Sequence, residues 1–242
     1  MPLFFFLFAL VLALPVLWPQ VDLFASGLFY RAGQGFFLAD NVLLVTLHKL
    51  AFTGARVLGV AFAVLAVWTW ARRRLCSPPL ANSGFFALPA KAWLFLLLAL
   101  LIGPGLVANV GFKDHWGRAR PREIVEFGGT AAFSSALTPQ FQKARSNGSF
   151  VSGDGAFGFF LPAFAYIAPR RSSRRVFWGS MAAGAVFGAV RLAMGAHFFS
   201  DIVYAAFLML ATGSGVHTVM YGAAETAARW KSWFCKKPYP KG

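Results

Sequence analysis

Long apolar stretches alternate with short polar segments along most of this chain. A helix needs about 20 apolar residues to cross the hydrocarbon core of a bilayer. Six stretches approach or reach that length, and they predict an all-α, polytopic membrane protein with six transmembrane helices: Leu3–Trp18, Leu50–Ala71, Trp93–Gly111, Gly155–Ala168, Val176–Ala196 and Asp201–Tyr221.

Two of these stretches are short, and one intervening segment does not fit the pattern. Leu3–Trp18 resembles the apolar core of a signal peptide, but it lacks a basic start and a small-residue cleavage site, so we expect it to be retained as a helix. Gly155–Ala168 is expected to extend back to Phe150. The segment Val21–Lys49 is rich in aromatic residues and too interrupted to span. We expect it either to lie in the plane of the interface or to pack against the mouth of the bundle.

Lysine and arginine gather in three clusters between the apolar stretches, and such clusters mark the cytoplasmic side of membrane proteins. With six spans, all three clusters and both termini fall on one face, which we predict to be cytoplasmic: Arg72, Arg73 and Arg74; Arg170, Arg171, Arg174 and Arg175; and Arg229, Lys231, Lys236, Lys237 and Lys241. The loop from Gly111 to Gly153 then lies on the external face. Its own basic residues favour an anionic ligand, although a solvated loop with scattered ion pairs would also carry charge.

The composition fits one membrane domain over residues 1–242. The chain is 58% hydrophobic and only 13% charged, far more apolar than a soluble globular protein. A net charge of +15 can indicate nucleic-acid binding, but the basic residues lie between membrane stretches, so no nucleic-acid partner is expected. Cys76 and Cys235 have neither metal-site nor disulfide spacing, and we expect free thiols. The sequence indicates no metal site and no cofactor.

Three polar segments stand out against this apolar background, and the predicted topology places all of them on the external face. Lys113 is followed after six residues by Arg120-Pro121, and Ser152-Gly153-Asp154 comes next. Arg191 is then followed after five residues by His197 and, after three more, by Asp201. Together they supply three cations, a hydroxyl, a glycine turn, an imidazole and two carboxylates, which indicates a phosphate-handling site.

The last of these segments carries the candidate nucleophile. His197 and Asp201 are four positions apart and would share one face of a helix. A carboxylate there can hold one imidazole nitrogen and leave the other free to attack, although such a pair can also merely cap the sixth span. Arg191 favours the functional interpretation, because an arginine near the end of an apolar helix is costly and its planar fork suits phosphate. Gly195 is where the fifth helix is expected to end.

The other two segments supply binding groups. Lys113 and Arg120 add two cations at the exit of the third span, and Pro121 biases the residue before it towards an extended conformation. Ser152 is the expected N-cap of the fourth helix. The N-terminus of that helix favours an anion, so Ser152 could also donate a hydrogen bond to a phosphate oxygen.

These segments resemble the signature of the type 2 phosphatidic acid phosphatase family, whose members include integral-membrane lipid phosphatases. That signature has Lys, six residues and Arg-Pro; then Pro-Ser-Gly-His; then Ser-Arg, five residues, His, three residues and Asp. The motif resemblance covers about Gly111–Tyr221. The six-span layout predicted for the whole chain is also that of the family. The residues that match in type, spacing and order are Lys113, Arg120, Pro121, Ser152, Gly153, Arg191, His197 and Asp201.

The resemblance implies a mechanism that needs no metal. His197 would attack phosphorus and form a phosphohistidine, and Asp201 would orient it. The phosphoryl oxygens would be bound by Lys113, Arg120, Ser152, Gly153 and Arg191. Stabilising charge on those oxygens is the main task of the protein in phosphoryl transfer.

The chain departs from the signature at three positions. Val151 and Val190 replace a proline and a serine, and we expect little consequence. Asp154 replaces the histidine that protonates the leaving alcohol in the family, and an exposed aspartate is usually ionised. Asp154 could be the acid if its surroundings favoured the protonated form, and His115 is a candidate substitute. A weak catalyst or an unusual leaving group are the other interpretations. We expect an active enzyme because the nucleophile pair and every cation are present.

Within the family, the chain looks most similar to bacterial lipid A phosphatases, through its Trp116-Gly117-Arg118 insert, its Phe127-Gly128-Gly129 turn and Asp154. This resemblance implies a lipid phosphate substrate at the periplasmic face of the bacterial inner membrane, and it slightly favours the 4'-phosphate of lipid A. A substrate with several anionic groups could also be recognised by Arg118, Arg122 and Arg145. Undecaprenyl diphosphate and phosphatidylglycerol phosphate stay open as substrates, and a non-catalytic protein that binds or transports lipid phosphates is the alternative of another class.

Overall fold

The computed structural model describes residues 2–75, 88–143 and 148–234, and within them the chain is mostly helical. The helices, in chain order, are α1 (Pro2–Leu17), α2 (Gln20–Gly27), α3 (Val42–Leu75), α4 (Ala90–Leu100), α5 (Gly153–Phe160), α6 (Ala163–Ile167), α7 (Arg170–Ala193), α8 (Phe199–Tyr221) and α9 (Ala223–Phe234). The predictions for Cys76, Cys235, Arg145, Lys236, Lys237 and Lys241 lie outside the described residues.

Two irregular elements connect the helices near the external loop. α4 continues as a π-helix over Leu101–Lys113. Pro104 within it has no N–H and displaces the carbonyl of the preceding turn, which favours the wider turn. The two-residue strands β1 (Tyr30–Arg31) and β2 (Gly35–Phe36) form an antiparallel hairpin between α2 and α3. Single 3₁₀ turns follow at Pro121–Glu123, Val125–Phe127 and Phe141–Lys143.

Four helices of the described chain are long and apolar enough to cross a membrane: Val42–Arg74, Ala90–Lys113, Arg170–Ala193 and Phe199–Tyr221. A fifth crossing is present if α1 and α2, which meet at a bend of 96°, form one broken span. The predicted fourth span is the α5–α6 pair, whose two short helices do not reach the length of a span. The structure thus confirms a helical protein with several membrane spans, and supports four or five of them by length and composition.

The second span begins earlier than the sequence indicated. α3 starts at Val42, so the prediction that Val21–Lys49 forms one non-spanning segment is wrong for its last eight residues. The reason is a side-chain cap, because the Asn41 amide oxygen accepts hydrogen bonds from the backbone N–H groups of Leu43 (3.1 Å) and Leu44 (3.3 Å). This correction moves His48 into a helix of the bundle.

Buried helix α5 lies at the centre of the bundle and packs against α3, α7 and α8. Its crossing with α7 is close, since a Cβ added to Gly158 would lie 2.8 Å from the Cα of Gly184. The outer face of α3 instead exposes apolar side chains, including Val57, Val60, Val64 and Val67. An apolar outer surface around a packed centre is the arrangement expected of helices in lipid.

The two ends of the bundle differ in charge. α3 carries His48 in its second turn and Arg72–Arg74 in its last turn, whereas α7 carries its arginine cluster at residues 170–175 in its first two turns and Arg191 in its last turn. Arg170 pairs with Glu225 of α9 at 2.8 Å, and Arg229 of α9 donates to the carbonyl of Ala168 at 2.7 Å. The basic clusters within the described residues therefore lie at the end of the bundle opposite the polar motifs.

Candidate active site

The three polar segments meet at one end of the bundle. The backbone N–H of Ser152 donates to the carbonyl of Asp201 at 3.2 Å. Arg191 Nε lies 3.3 Å from Asp154 Oδ2. A Cβ added to Gly153 would lie 3.7 Å from Lys113 Nζ. The structure thus brings together the motifs that the predicted topology placed on one face.

A tight turn between α7 and α8 presents His197. α7 ends at Ala193, and Gly195 adopts a positive φ of 63°, which confirms the expected helix end. A side chain is excluded at Gly195, because its Cβ would lie 2.4 Å from the Phe36 ring. The Gly195 carbonyl accepts from the backbone N–H of Arg122 at 3.1 Å, which ties the first motif to this turn.

His197 is almost fully buried, and its Nδ1 is held by a backbone carbonyl. Nδ1 lies 2.7 Å from the Ser149 oxygen and 3.7 Å from Asp201 Oδ2, so the expected direct hydrogen bond to Asp201 is not formed. A carbonyl only accepts, so Nδ1 carries the proton and the lone pair is on Nε2. Burial lowers the pKa of His197 below its ordinary value, the charges of Arg191 and Lys113 act in the same direction, and Asp201 opposes them.

Asp201 acts on His197 indirectly, through Ser149. It lies in the first turn of α8 rather than on a shared helical face with His197, and its Oδ2 accepts from the backbone N–H of Phe198 at 2.8 Å. The same oxygen accepts from the Ser149 hydroxyl at 2.6 Å. Asp201 therefore caps α8, which was one of the two roles considered for it. It also holds Ser149, whose carbonyl accepts from the imidazole of His197.

Behind His197, charged and polar side chains form a network that solvent does not reach. Arg118 donates to Asp201, to Asp22 Oδ2 at 2.8 Å and to Ser200 Oγ at 2.8 Å. Asp22 in turn accepts from the Ser200 backbone N–H at 2.8 Å and hydroxyl at 2.6 Å. We call these residues the rear network: Asp22, Arg118, Ser149, Ser200 and Asp201, each 0% exposed.

Arg118 does not have the place that the sequence suggested. It was a candidate for contacting anionic groups of the substrate, but it is fully buried and its guanidinium stacks 4.3 Å from the Phe198 ring. Burial alone would lower the pKa of Arg118, but the carboxylates of Asp201 and Asp22 hold it above its ordinary value. Arg118 is the counter-ion of two buried carboxylates, a pairing that buried charges require.

In front of His197 lies a more open group of charged residues. Asp154 is the acidic member, and its Oδ2 lies 2.6 Å from Nδ1 of His48 on α3. The charges of Lys113, Arg120, Arg191 and Asp154 act on one another. We call this set the front cluster: His48, Lys113, Arg120, Asp154 and Arg191. His48 was missed at the level of sequence because it lies in the segment that was predicted not to span the membrane.

The local roles expected for the other motif residues agree with their conformations. Ser152 is the N-cap of α5, with its hydroxyl accepting from Gly155 N–H at 3.2 Å. Arg120 is extended (φ −82°, ψ 157°), as the following proline predicts. Gly153 begins α5 beside Lys113, so the helix N-terminus and its N–H groups face the same cations.

The remaining candidates lie outside these contacts. His115 is exposed, and its Nδ1 lies 2.7 Å from the carbonyl of Val110 rather than near Asp154. Arg122 is exposed at the same end of the bundle. Across residues 2–75, 88–143 and 148–234, no group of three or more His, Cys, Asp or Glu side chains is placed to hold a metal ion.

The known proteins to which this chain is similar include three lipid A 4'-phosphatases. A lipid A 4'-phosphatase of Francisella tularensis subsp. novicida (strain U112) is 32% identical over 212 residues, 87% of this chain and 90% of that protein. A lipid A 4'-phosphatase of Rhizobium leguminosarum is 40% identical over 104 residues, 43% of this chain and 44% of that protein. One of Rhizobium etli (strain ATCC 51251 / DSM 11541 / JCM 21823 / NBRC 15573 / CFN 42) is 39% identical over 104 residues, 43% and 40% of the two chains.

No solved structure matches the chain. The family comparison gives a direct result, since residues 92–224 match the PAP2 superfamily and include all three polar segments. The resemblance drawn from those segments is confirmed. The chain belongs to the PAP2 superfamily, and it is a membrane lipid phosphatase, a hydrolase of phosphoric monoesters.

Proposed function

We propose that this protein removes the 4'-phosphate of lipid A at the periplasmic face of the bacterial inner membrane, through a phosphohistidine on His197. Three relatives named lipid A 4'-phosphatase support the substrate, and one of them aligns with 87% of the chain. The basic end of the bundle and the opposite, motif-bearing end support the orientation, since basic residues favour the cytoplasmic side. The partners are the lipid substrate and the bilayer.

One hydrogen bond carries the proposal that His197 is the nucleophile. Because the Ser149 carbonyl holds Nδ1 at 2.7 Å, the neutral ring presents a lone pair at Nε2. Burial lowers the pKa of His197, so the ring stays neutral at physiological pH. A neutral, oriented imidazole is the form that can attack phosphorus. Asp201 stabilises the charge that develops on the ring, from 3.7 Å.

The front cluster supplies the charge for the phosphoryl group. Arg191 is only 8% exposed, and its Nε makes no hydrogen bond although Asp154 is 3.3 Å away. A buried donor without an acceptor is costly, and a phosphoryl oxygen would satisfy it. Lys113, Arg120, the Ser152 hydroxyl and the Gly153 N–H complete the proposed cradle. Preorganised positive charge of this kind stabilises the transition state of phosphoryl transfer.

The proposed layout keeps six spans. α1 with α2 would form one broken span, and α5 with α6 another, beside the four long helices. Seven of the eight residues of α5 are buried by neighbouring helices, so this short pair need not meet lipid along its length. A cysteine placed at exposed Glu126, in a variant that lacks Cys76 and Cys235, should react with an impermeant maleimide from the periplasm; reaction from the cytoplasm alone would reverse the orientation.

A panel assay tests the substrate. Detergent-solubilised protein should release phosphate from bisphosphorylated lipid A faster than from undecaprenyl diphosphate, phosphatidylglycerol phosphate or phosphatidic acid. Mass spectrometry of the lipid A product should place the remaining phosphate at position 1. His197→Ala should abolish release while the protein still elutes as the wild type does. Release that persists in His197→Ala would reject the nucleophile, and faster release from another lipid would reassign the substrate.

A further inference from the structure

A histidine outside the three motifs is paired with the residue that departs from the family pattern. His48 Nδ1 lies 2.6 Å from Asp154 Oδ2, across 106 positions of sequence. The resemblance assigns a histidine, and a proton to the leaving group, to the place that Asp154 occupies. In this chain an imidazole reaches the same place from another helix.

Packing holds His48 at the edge of the site. The neighbouring side chains of α3, Leu44, Val45 and Leu47, pack on Val190, Met194 and Ala196, which flank Arg191 and lead into the His197 turn. Asp154, which contacts the ring, is also 3.3 Å from Arg191 Nε. One carboxylate therefore joins the imidazole of α3 to the guanidinium that is proposed to bind the phosphoryl group.

The two histidines of the site have different surroundings. His197 is 3% exposed and bonded to a neutral carbonyl, whereas the His48 side chain is 34% exposed and bonded to a carboxylate. A carboxylate on Nδ1 fixes the orientation and the tautomer of an imidazole. Nε2 of His48 has no hydrogen-bond partner among the residues that the structure describes, so it is free to meet a ligand. The two imidazoles thus differ in exposure and in the group that holds Nδ1, which suits them to different roles at one site.

We propose that His48 is the general acid and base of this phosphatase, and that Asp154 is its positioning residue. The proposal rests on the phosphohistidine mechanism proposed above. In the first step, Nε2 of His197 forms a bond to phosphorus, the bond from phosphorus to the leaving oxygen breaks, and the proton on Nε2 of His48 passes to that oxygen. In the second step, a water oxygen bonds to phosphorus, the bond to His197 breaks, and the water proton returns to His48.

The experiment compares two synthetic substrates that differ in the leaving group. Dodecyl phosphate releases an alkoxide that needs a proton, whereas a dodecyl-substituted nitrophenyl phosphate releases a stable phenolate. His48→Gln should lower kcat on dodecyl phosphate by about 10²–10⁴-fold, the usual contribution of general acid–base catalysis, and should change kcat on the aryl phosphate far less. Asp154→Asn should give the same selective pattern with a smaller loss. Lys49→Gln, an exposed neighbour on α3, is the matched control and should retain wild-type rates on both substrates.

Several results would overturn the assignment. An equal loss on both substrates would make His48 structural, and no loss would remove it from the reaction. The selective loss appearing in His115→Gln, or in Asp154→Asn with His48→Gln unaffected, would move the acid to that residue. If His48→Gln does not fold, His48→Gly with added imidazole gives the second measurement: rescue on dodecyl phosphate supports the role, and the lack of rescue rejects it. Wild-type protein that hydrolyses no lipid phosphate, or that is no more active than His197→Ala, would instead reject the function proposed above. Failure of the proposed function is therefore distinguished from failure of the His48 assignment, which requires an active wild-type protein.

Discussion

The rear network and the front cluster, on the two sides of His197, differ in solvent exposure and in charge balance. The rear network is closed to solvent, and its two carboxylates are balanced by Arg118 and by hydroxyl and backbone donors. The front cluster is partly open, holds three side-chain cations against one carboxylate, and leaves Arg191 Nε without an acceptor. Closed polar networks fix geometry, whereas an excess of positive charge is expected where an anion binds. The difference separates the residues that hold His197 from those proposed to hold its substrate.

A substitution at Arg118 gives the strongest test of the contrast between the rear network and the front cluster. Arg118→Met should lower the free energy of unfolding by about 3–5 kcal/mol, because removing one partner of a buried ion pair leaves its carboxylates uncompensated. Denaturant or thermal unfolding in detergent would measure the loss. Arg122→Met, at an exposed arginine of the same loop, is the control and should stay close to wild type. A stable Arg118→Met protein with altered substrate preference would mean that Arg118 belongs with the front residues.

A second change separates binding geometry from charge in the front cluster. Arg191→Lys keeps the positive charge but loses the planar fork, so kcat/KM on the lipid substrate should fall by about 10²–10³-fold, the cost of removing one preorganised donor. Its unfolding transition should move little. Arg56→Lys is the matched control, since Arg56 lies on α3 and stacks 4.0 Å from the Phe52 ring. Equal kinetics in Arg191→Lys and wild type would show that charge alone suffices.

The smallest expected effect is at Ser149, which links the rear network to His197. Ser149→Ala keeps the carbonyl that holds His197 but removes the hydroxyl that donates to Asp201 at 2.6 Å. Stability should fall by about 1 kcal/mol, the usual net value of one hydrogen bond, and kcat should fall with KM nearly unchanged. Ser232→Ala, which loses only a local bond to the Arg229 carbonyl on α9, is the control. A change in KM without a change in kcat would place Ser149 with the substrate-binding residues.

Local features of this molecule could be predicted from sequence. The end of α7 at Gly195, the N-cap at Ser152 and the extended conformation before Pro121 each depend on a few neighbouring residues, and all three are found. The meeting of the motifs could also be predicted, because alternating membrane spans bring every second loop to the same face. These features follow from short-range rules and from the length of a span.

The missed features depend on pairings between distant residues. Asp22 meets Arg118 across 96 positions, and His48 meets Asp154 across 106. A signal existed for Asp22, since a carboxylate in an apolar segment usually has a partner, but the sequence does not say which one. Asn41 before Val42 was a readable helix start, and using it would have placed His48 in the bundle.

Asp22 and His48 lie before the region that matches the family, but both form hydrogen bonds to residues inside it. The PAP2 match covers residues 92–224, yet Asp22 and His48 both precede it. The leading helices are therefore more than a membrane anchor for a self-sufficient catalytic module. A fragment cut at the edge of the matched region would keep every signature residue and still lack a buried counter-charge and an imidazole. On the proposal that His48 is the general acid, the signature alone would not show whether this chain is active, because the histidine that α5 lacks would be supplied by α3.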